Sequence, residues 1–220
     1  GHEPGRGLRP GALPASDGAP TGQAAVNDSP SSSSPWTTLG TREQIEAERI
    51  TLRLLADPAV RAETARARAV LAHDPAAATP DGRARLDQDI QQWATSLILR
   101  EAAADSGHPR ILWVDDNTPH TWFGRTIAGA AVAGDNPDHI YRGTFLDGAS
   151  RYEVDGKLSA DAPAQFSFEL THGAPGVSVL KQQSAGHADL GDQLGMLTNR
   201  QIKVNPDGTF RITIDGDPAD

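Results

Sequence analysis

The spacing of apolar residues along the chain changes character once. From residue 41 to about residue 108 they recur at three- and four-residue intervals, and beyond that they alternate in short runs broken by Gly, Pro, Asn and Asp. The first pattern predicts helices with one buried stripe, the second strands with one buried face. Thr41 followed by Gln44 fits a capping box, in which the hydroxyl takes an orphan N–H and the glutamine amide reaches back. Ile45, Leu52 and Leu55 supply the apolar face of the helix that follows. Asp57-Pro58 interrupts it. Pro58 has no N–H to donate, which suits the first turn of a new helix capped by Asp57. Residues 59–71 are rich in Ala and Arg and only weakly amphipathic, so this second helix is expected on the surface. Thr79-Pro80 opens the strongest helical pattern: Leu86, Ile90, Trp93 and Leu97 fall on one stripe. That stripe is expected to pack as core against the sheet that follows, in preference to forming a cofactor box.

The second half predicts an antiparallel sheet. Residues 111–114 form a short apolar run, and 115–119 and 134–138 read as turns. Residues 140–146 and 150–158 are expected to pair as a hairpin around Asp147-Gly148, a dipeptide suited to the positive φ of a type I′ turn. Residues 164–171 place Phe166, Phe168 and Leu170 on one face. Asn205-Pro206-Asp207-Gly208 marks a second hairpin between 200–204 and 209–214, and Phe210, Ile212 and Ile214 alternate with Arg211 and Thr213 as in a half-buried strand. Helices first and strands second predict an α+β fold, with N-terminal helices packed on an antiparallel β-sandwich. Apolar residues before residue 40 (Leu8, Leu13, Val26, Trp36) are too scattered to form a buried face, so 1–35 reads as a flexible tail. The expected organisation is a tail or linker over 1–40, a helical segment over 41–108 and an antiparallel β domain over 109–220.

Composition narrows the functional classes. A formal charge of −9 argues against a nucleic-acid partner, which needs clustered Lys and Arg. The absence of cysteine excludes disulfides, thiolate catalysis and Cys-based zinc sites. No run approaches the ~20 apolar residues of a membrane span. The Gly/Pro/Ser tail favours an exported or periplasmic location over the cytoplasm, although no charged-then-apolar signal precedes it. There is no Gly-x-Ser-x-Gly elbow, Gly134-Asp135-Asn136 is not a phosphate loop, and no cofactor is implied.

Four groups of residues carry candidate chemistry. Asn136, Asp138 and Tyr141 could converge on a ligand's hydroxyls or carbonyl, with Asp138 as general base, Tyr141 as hydrogen-bond donor and Arg142 as a further ligand contact. Residues alternate along a strand, so Tyr141 and Arg142 share a pocket only if the strand bulges. Against this stands the reading that Asn136 and Asp138 simply cap their own turn. Asp115, Asp116 and His120 could hold a metal or run acid–base chemistry, but text of this kind is common in plain turns. His139, His172 and His187 could form a three-His site, yet no pair has metal-binding spacing, and no metal is expected. Trp122 and Phe123, beside Arg125, could stack on a sugar or aromatic ligand, or pack at the helix–sheet junction.

The run Asn136-Pro137-Asp138-His139-Ile140-Tyr141-Arg142, then Asp147-Gly148, then Ser150-Arg151-Tyr152 and Gly156, resembles a bacterial family catalogued only as a domain of unknown function. Members share an Asn-x-Asp-x-x-Tyr turn entering a strand, an Asp-Gly pair and a Tyr-x-x-x-Gly strand. Gly208, Phe210, Ile212-Thr213 and Asp217-Pro218 extend the similarity over about 113–220. The resemblance implies a jelly-roll-like β-sandwich, and it implies further strands beyond Asp220, supplied by a partner chain or lost as a missing segment. It brings no agreed activity. Two functions are therefore expected: binding or turnover of a polar small molecule or glycan in a cleft near Asn136 and Tyr141, or a non-catalytic exported interaction or structural module.

Overall fold

A computed structural model describes residues 40–132, 136, 139–173 and 193–216, with the backbone alone for 7–11 and 192. In chain order the elements are β1 (Gly7–Gly11), α1 (Arg42–Leu55), α2 (Pro58–Leu71), α3 (Pro80–Ala102), β2 (Leu112–Asp115), β3 (His120–Trp122), β4 (Arg125–Ile127) and β5 (Tyr141–Gly143). Then follow β6 (Tyr152–Lys157), β7 (Ser167–His172), β8 (Asp192–Thr198) and β9 (Thr209–Asp215). The fold is α+β, and every strand pairing among the described residues is antiparallel. The chain divides into a helical unit, Ala25–Leu146, and a strand unit made of Gly1–Ala24 and Asp147–Asp220. The division thus falls after residue 146 and not at 108/109, because β2 to β5 stay with the helices.

In the helical unit all three expected caps form. Thr41 and Thr79 accept from the N–H of Gln44 and Gly82, and Asp57 accepts from that of Ala59. Half of the expected capping box does not. The Gln44 side chain turns inward, where its Oε1 accepts the Trp113 N–H at 2.9 Å and its Nε2 donates to Glu48 Oε1 at 3.2 Å. The buried Trp113 amide would otherwise lose its partner, at a cost of about 1–3 kcal/mol. α2 buries no residue, as its composition predicts.

α3 departs from the expected stripe. Ile90 is buried, but Leu86 and Trp93 are only half-buried and Leu97 is 37% exposed. The buried face of its C-terminal half is instead Gln92, Thr95, Ser96 and Leu99. Leu99 and Ala103 pack with Ala47 and Leu52 of α1 and with Leu112, Val114, Trp122, Ile127 and Ala130 into one core. The polar residues find partners there that outweigh the apolar periodicity. β2 pairs with β5, setting Leu112 against Gly143 and Asp115 against Tyr141, with a bulge between Trp113 and Asp115. β3 and β4 form a hairpin over Phe123 (φ 48°) and Gly124 (φ 77°), both left-handed.

The strand unit buries a second core: Leu197, Ile202, Phe210 and Ile212, with Val154, Leu158, Phe166, Phe168, Leu170 and Ile214 around them. The Phe210 ring lies 6.2 Å from Phe166 and 5.8 Å from Phe168. β9 is the centre of a three-stranded sheet, between β1 and β6, while β7 and β8 pair separately. Two expectations are corrected here. Residues 7–11, read as tail, form the edge strand β1. Residues 140–146 and 150–158 do not pair as a hairpin: β5 joins β2 and β6 joins β9. The reason lies in Asp147, whose carboxylate accepts from the N–H of Ala149 and Ser150 and the hydroxyls of Ser150 and Tyr152. This side-chain-bonded turn needs no positive φ at Gly148. The Ser150 hydroxyl, then the Ala149 N–H and the Tyr152 hydroxyl, hold the Asp147 carboxyl down to about 2. In the second expected hairpin the Asn205–Gly208 turn forms, with Gly208 at φ 83°, but 200–204 is not a strand.

Candidate functional site

The turn entering β5 brings Asn136 and Tyr141 together through the backbone. The Asn136 N–H donates to the Tyr141 hydroxyl at 3.0 Å. The Tyr141 ring is half-buried against the helical unit's core, and the His139 ring meets it edge-on at 6.0 Å. Arg142 is exposed on the next strand position, so it faces away from Tyr141. Asp138 lies outside the described residues, as does His187. Trp122 is 3% exposed and packed inside the core. It offers no ring face at the surface, which corrects its reading as a ligand contact. His139 and His172 are exposed. No group of three His, Asp or Glu side chains among the described residues is placed to hold a metal ion.

The densest polar chemistry sits where α3 meets β2. Asp115, 2% exposed, accepts from the Ser96 hydroxyl through one carboxylate oxygen and from the Arg100 guanidinium through the other. One helical turn earlier, Gln92 Nε2 donates to the carbonyls of Asn117 and Ala128, each at 2.8 Å. Those two loops close over each other at Gly129 (φ 105°), where a Cβ would lie 2.6 Å from the Thr118 carbonyl oxygen. Residues 92, 96 and 100 stand four apart, so a polar stripe on α3 was present in the sequence. Nothing local showed that its partner would be Asp115. Asp115 and Asp116 point apart, as neighbours in a strand must.

Asp116 turns to His120. Its Oδ2 lies 3.5 Å from His120 Nε2, and its Oδ1 accepts from the Thr118 N–H and hydroxyl. The imidazole is packed edge-on to Trp113, with centroids 4.6 Å apart, and stacked with Trp122 at 6.2 Å. Both indole N–H groups are buried without an acceptor among the described residues, so packing sets these rings.

Burial pushes the His120 imidazole below its ordinary value of 6.5, and the Asp116 carboxylate opposes this only in part. The unfolded chain therefore binds the His120 proton more readily than the folded one. Stability from this group is complete above 6.5 and falls as pH drops from there toward the lowered folded value. The urea midpoint of the helical unit, followed by tryptophan fluorescence, is expected to drop between pH 7.5 and pH 5. His120→Gln should flatten that part of the profile, and an unchanged slope in the variant would count against the assignment.

Neither a protein-family model, a curated protein nor a solved structure matches the chain. Two open grooves lie along α1. One, of about 490 Å³, is lined by Glu46, Arg49, Leu52, Arg53 and Phe123. The Arg49 guanidinium lies 5.0 Å over the centre of the Phe123 ring. The other, of about 680 Å³, runs from Thr41 and Arg42 to His108, Arg110 and Ile111. Neither includes Asn136, Tyr141 or Arg142. No helix among the described residues is long and apolar enough to cross a membrane.

Proposed function

We propose that this chain is a non-catalytic interaction module. The observation that carries the reading is the Tyr141 hydroxyl, which accepts its own turn's backbone N–H from Asn136. A phenol used in this way holds its loop in place. The same economy recurs at Tyr152, bonded to Asp147, at Asp115, bonded to Ser96 and Arg100, and at Gln92, bonded to two carbonyls. These four polar side chains tie loops and elements together. An accessible concave surface lies along α1, where Arg49, Arg53 and Glu46 stand beside Leu52 and Phe123. Such a mixture of cations with apolar and aromatic side chains suits contact with another macromolecule. The jelly-roll resemblance belongs to this proposal as well, since its family carries no activity to transfer.

The competing reading, a polar small molecule or glycan bound or turned over at Asn136, Asp138 and Tyr141, makes an opposite prediction. Wild type, Tyr141→Phe and Asp138→Ala are compared by thermal shift against a panel of glycans and polar metabolites, with circular dichroism to verify folding. For a module, no compound raises the melting temperature in a way that depends on these two residues. A compound that stabilises the wild type by several degrees and neither variant would overturn the proposal.

A further inference from the structure

The β1–β9 pairing joins an unpromising strand to a very good seat. β1 is Gly-Leu-Arg-Pro-Gly, in which Gly7, Pro10 and Gly11 are all residues that strands disfavour. Pro10 stands opposite Ile212 and has no N–H to offer the ladder. β9 is Thr-Phe-Arg-Ile-Thr-Ile-Asp, five of its seven residues β-branched or aromatic, with Ile212 fully buried. On its other side β9 is held by β6 along its length, from Tyr152 opposite Ile214 to Lys157 opposite Thr209. Removal of β1 would therefore leave the rest of the three-stranded sheet standing with an open edge, a ready template for another strand.

We infer that β1 is an exchangeable strand, and that the β9 edge is an interaction surface for the same segment of a second copy of this chain. The choice of a second copy follows from the register. A trans strand can repeat the pairing of Leu8 with Ile214 and Arg9 with Thr213 bond for bond. Exchange is then close to neutral in contact energy, and the poor strand-forming residues of β1 ease its release. About 30 residues separate Gly11 from Arg42, a contour on the order of 100 Å when extended, which gives the segment reach to a neighbouring molecule. Tethering fixes the competing intramolecular concentration on the order of mM or below, so exchange grows as the protein approaches that range. The inference is independent of the proposal about the α1 grooves.

The chain has no cysteine, so introduced thiols report without background. A full chain carrying Leu8→Cys is mixed with one carrying Ile214→Cys, at about 5 µM and at about 1 mM, and oxidised. Facing positions in an antiparallel pair lie within disulfide reach. Trans pairing predicts a mixed disulfide several-fold above the statistical share relative to the two homodisulfides at the higher concentration, and little excess at the lower. Arg9→Cys with Thr213→Cys repeats the test at the adjacent register, in case the first pair disturbs folding. Statistical proportions at both concentrations in both pairs would overturn the inference. A chain lacking residues 1–11 should also bind the full chain. If it instead takes up an unrelated β-strand peptide equally well, the edge is a general strand acceptor and the choice of partner is wrong.

Discussion

Asp115→Ala is expected to destabilise the helical unit by about 3–5 kcal/mol, the usual cost of removing one member of a buried ion pair. The loss follows from what stays behind. The Arg100 side chain is 13% exposed and would keep its charge without a counterion, while the Ser96 hydroxyl would lose its acceptor. Measured as a shift of the urea midpoint at constant m-value, an effect of this size consumes a large part of an ordinary domain's stability of about 5–15 kcal/mol. All four tryptophans fall within Ala25–Leu146, as do the three α-helices among the described residues, so fluorescence and ellipticity at 222 nm follow this unit. The paired replacement Asp115→Leu with Arg100→Met should recover most of the loss, because a buried ion pair contributes little over an apolar pair of similar volume. A single variant within about 1 kcal/mol of wild type would mean that the carboxylate is not what fastens α3 to β2.

Gly156→Val should disrupt the strand unit to a comparable degree. Gly156 pairs with Phe210 across β6 and β9, and the phenylalanine ring lies over the glycine. A Cβ there would come 2.1 Å from the ring's Cζ and 2.5 Å from Cε1, so the ring must leave its place beside Phe166 and Phe168. Displacing a buried aromatic costs about 3–5 kcal/mol, the range seen when Phe is truncated to Ala in a core. Amide exchange of the β9 residues Ile212 and Thr213 reads this unit directly. Their protection should fall by two or more orders of magnitude in the variant, at about 1.4 kcal/mol per tenfold. Undiminished protection would show that the ring finds another seat at little cost. Gly156→Ala should show a smaller effect of the same sign.

The parts of the fold that could be read from the sequence are those whose physics is local. Thr41, Asp57 and Thr79 cap helices because a short side-chain oxygen meets an N–H two or three residues on, and Pro58 and Pro80 begin turns that need no donor. Phe166, Phe168 and Leu170 alternate onto one face because a strand has period two. The failures share a different cause. Leu86, Ile90, Trp93 and Leu97 make the better apolar stripe, but Gln92 and Ser96 are drawn inward by carbonyls and a carboxylate far along the chain. The carboxylate of Asp147 turns what looked like a hairpin into a bonded corner, so β5 and β6 leave in different company. The partner of Gly7–Gly11 is some two hundred residues distant, and no window on the sequence contains both. Among the candidate site residues, the closeness of Asn136 to Tyr141 was legible from spacing. That the hydroxyl would accept a bond from the backbone was not, and neither was the burial of Trp122, which depends on the α1 and α3 residues packed around it.

Because β9 is the middle strand and is made after β1, β6, β7 and β8, the three-stranded sheet cannot assemble until the residues through Asp215 have left the ribosome. The residues of Ala25–Leu146 emerge long before that moment and can consolidate their own core on the nascent chain. β1 thus waits for β9, and a pause in translation before Thr209 would prolong the interval in which it has nothing to pair with.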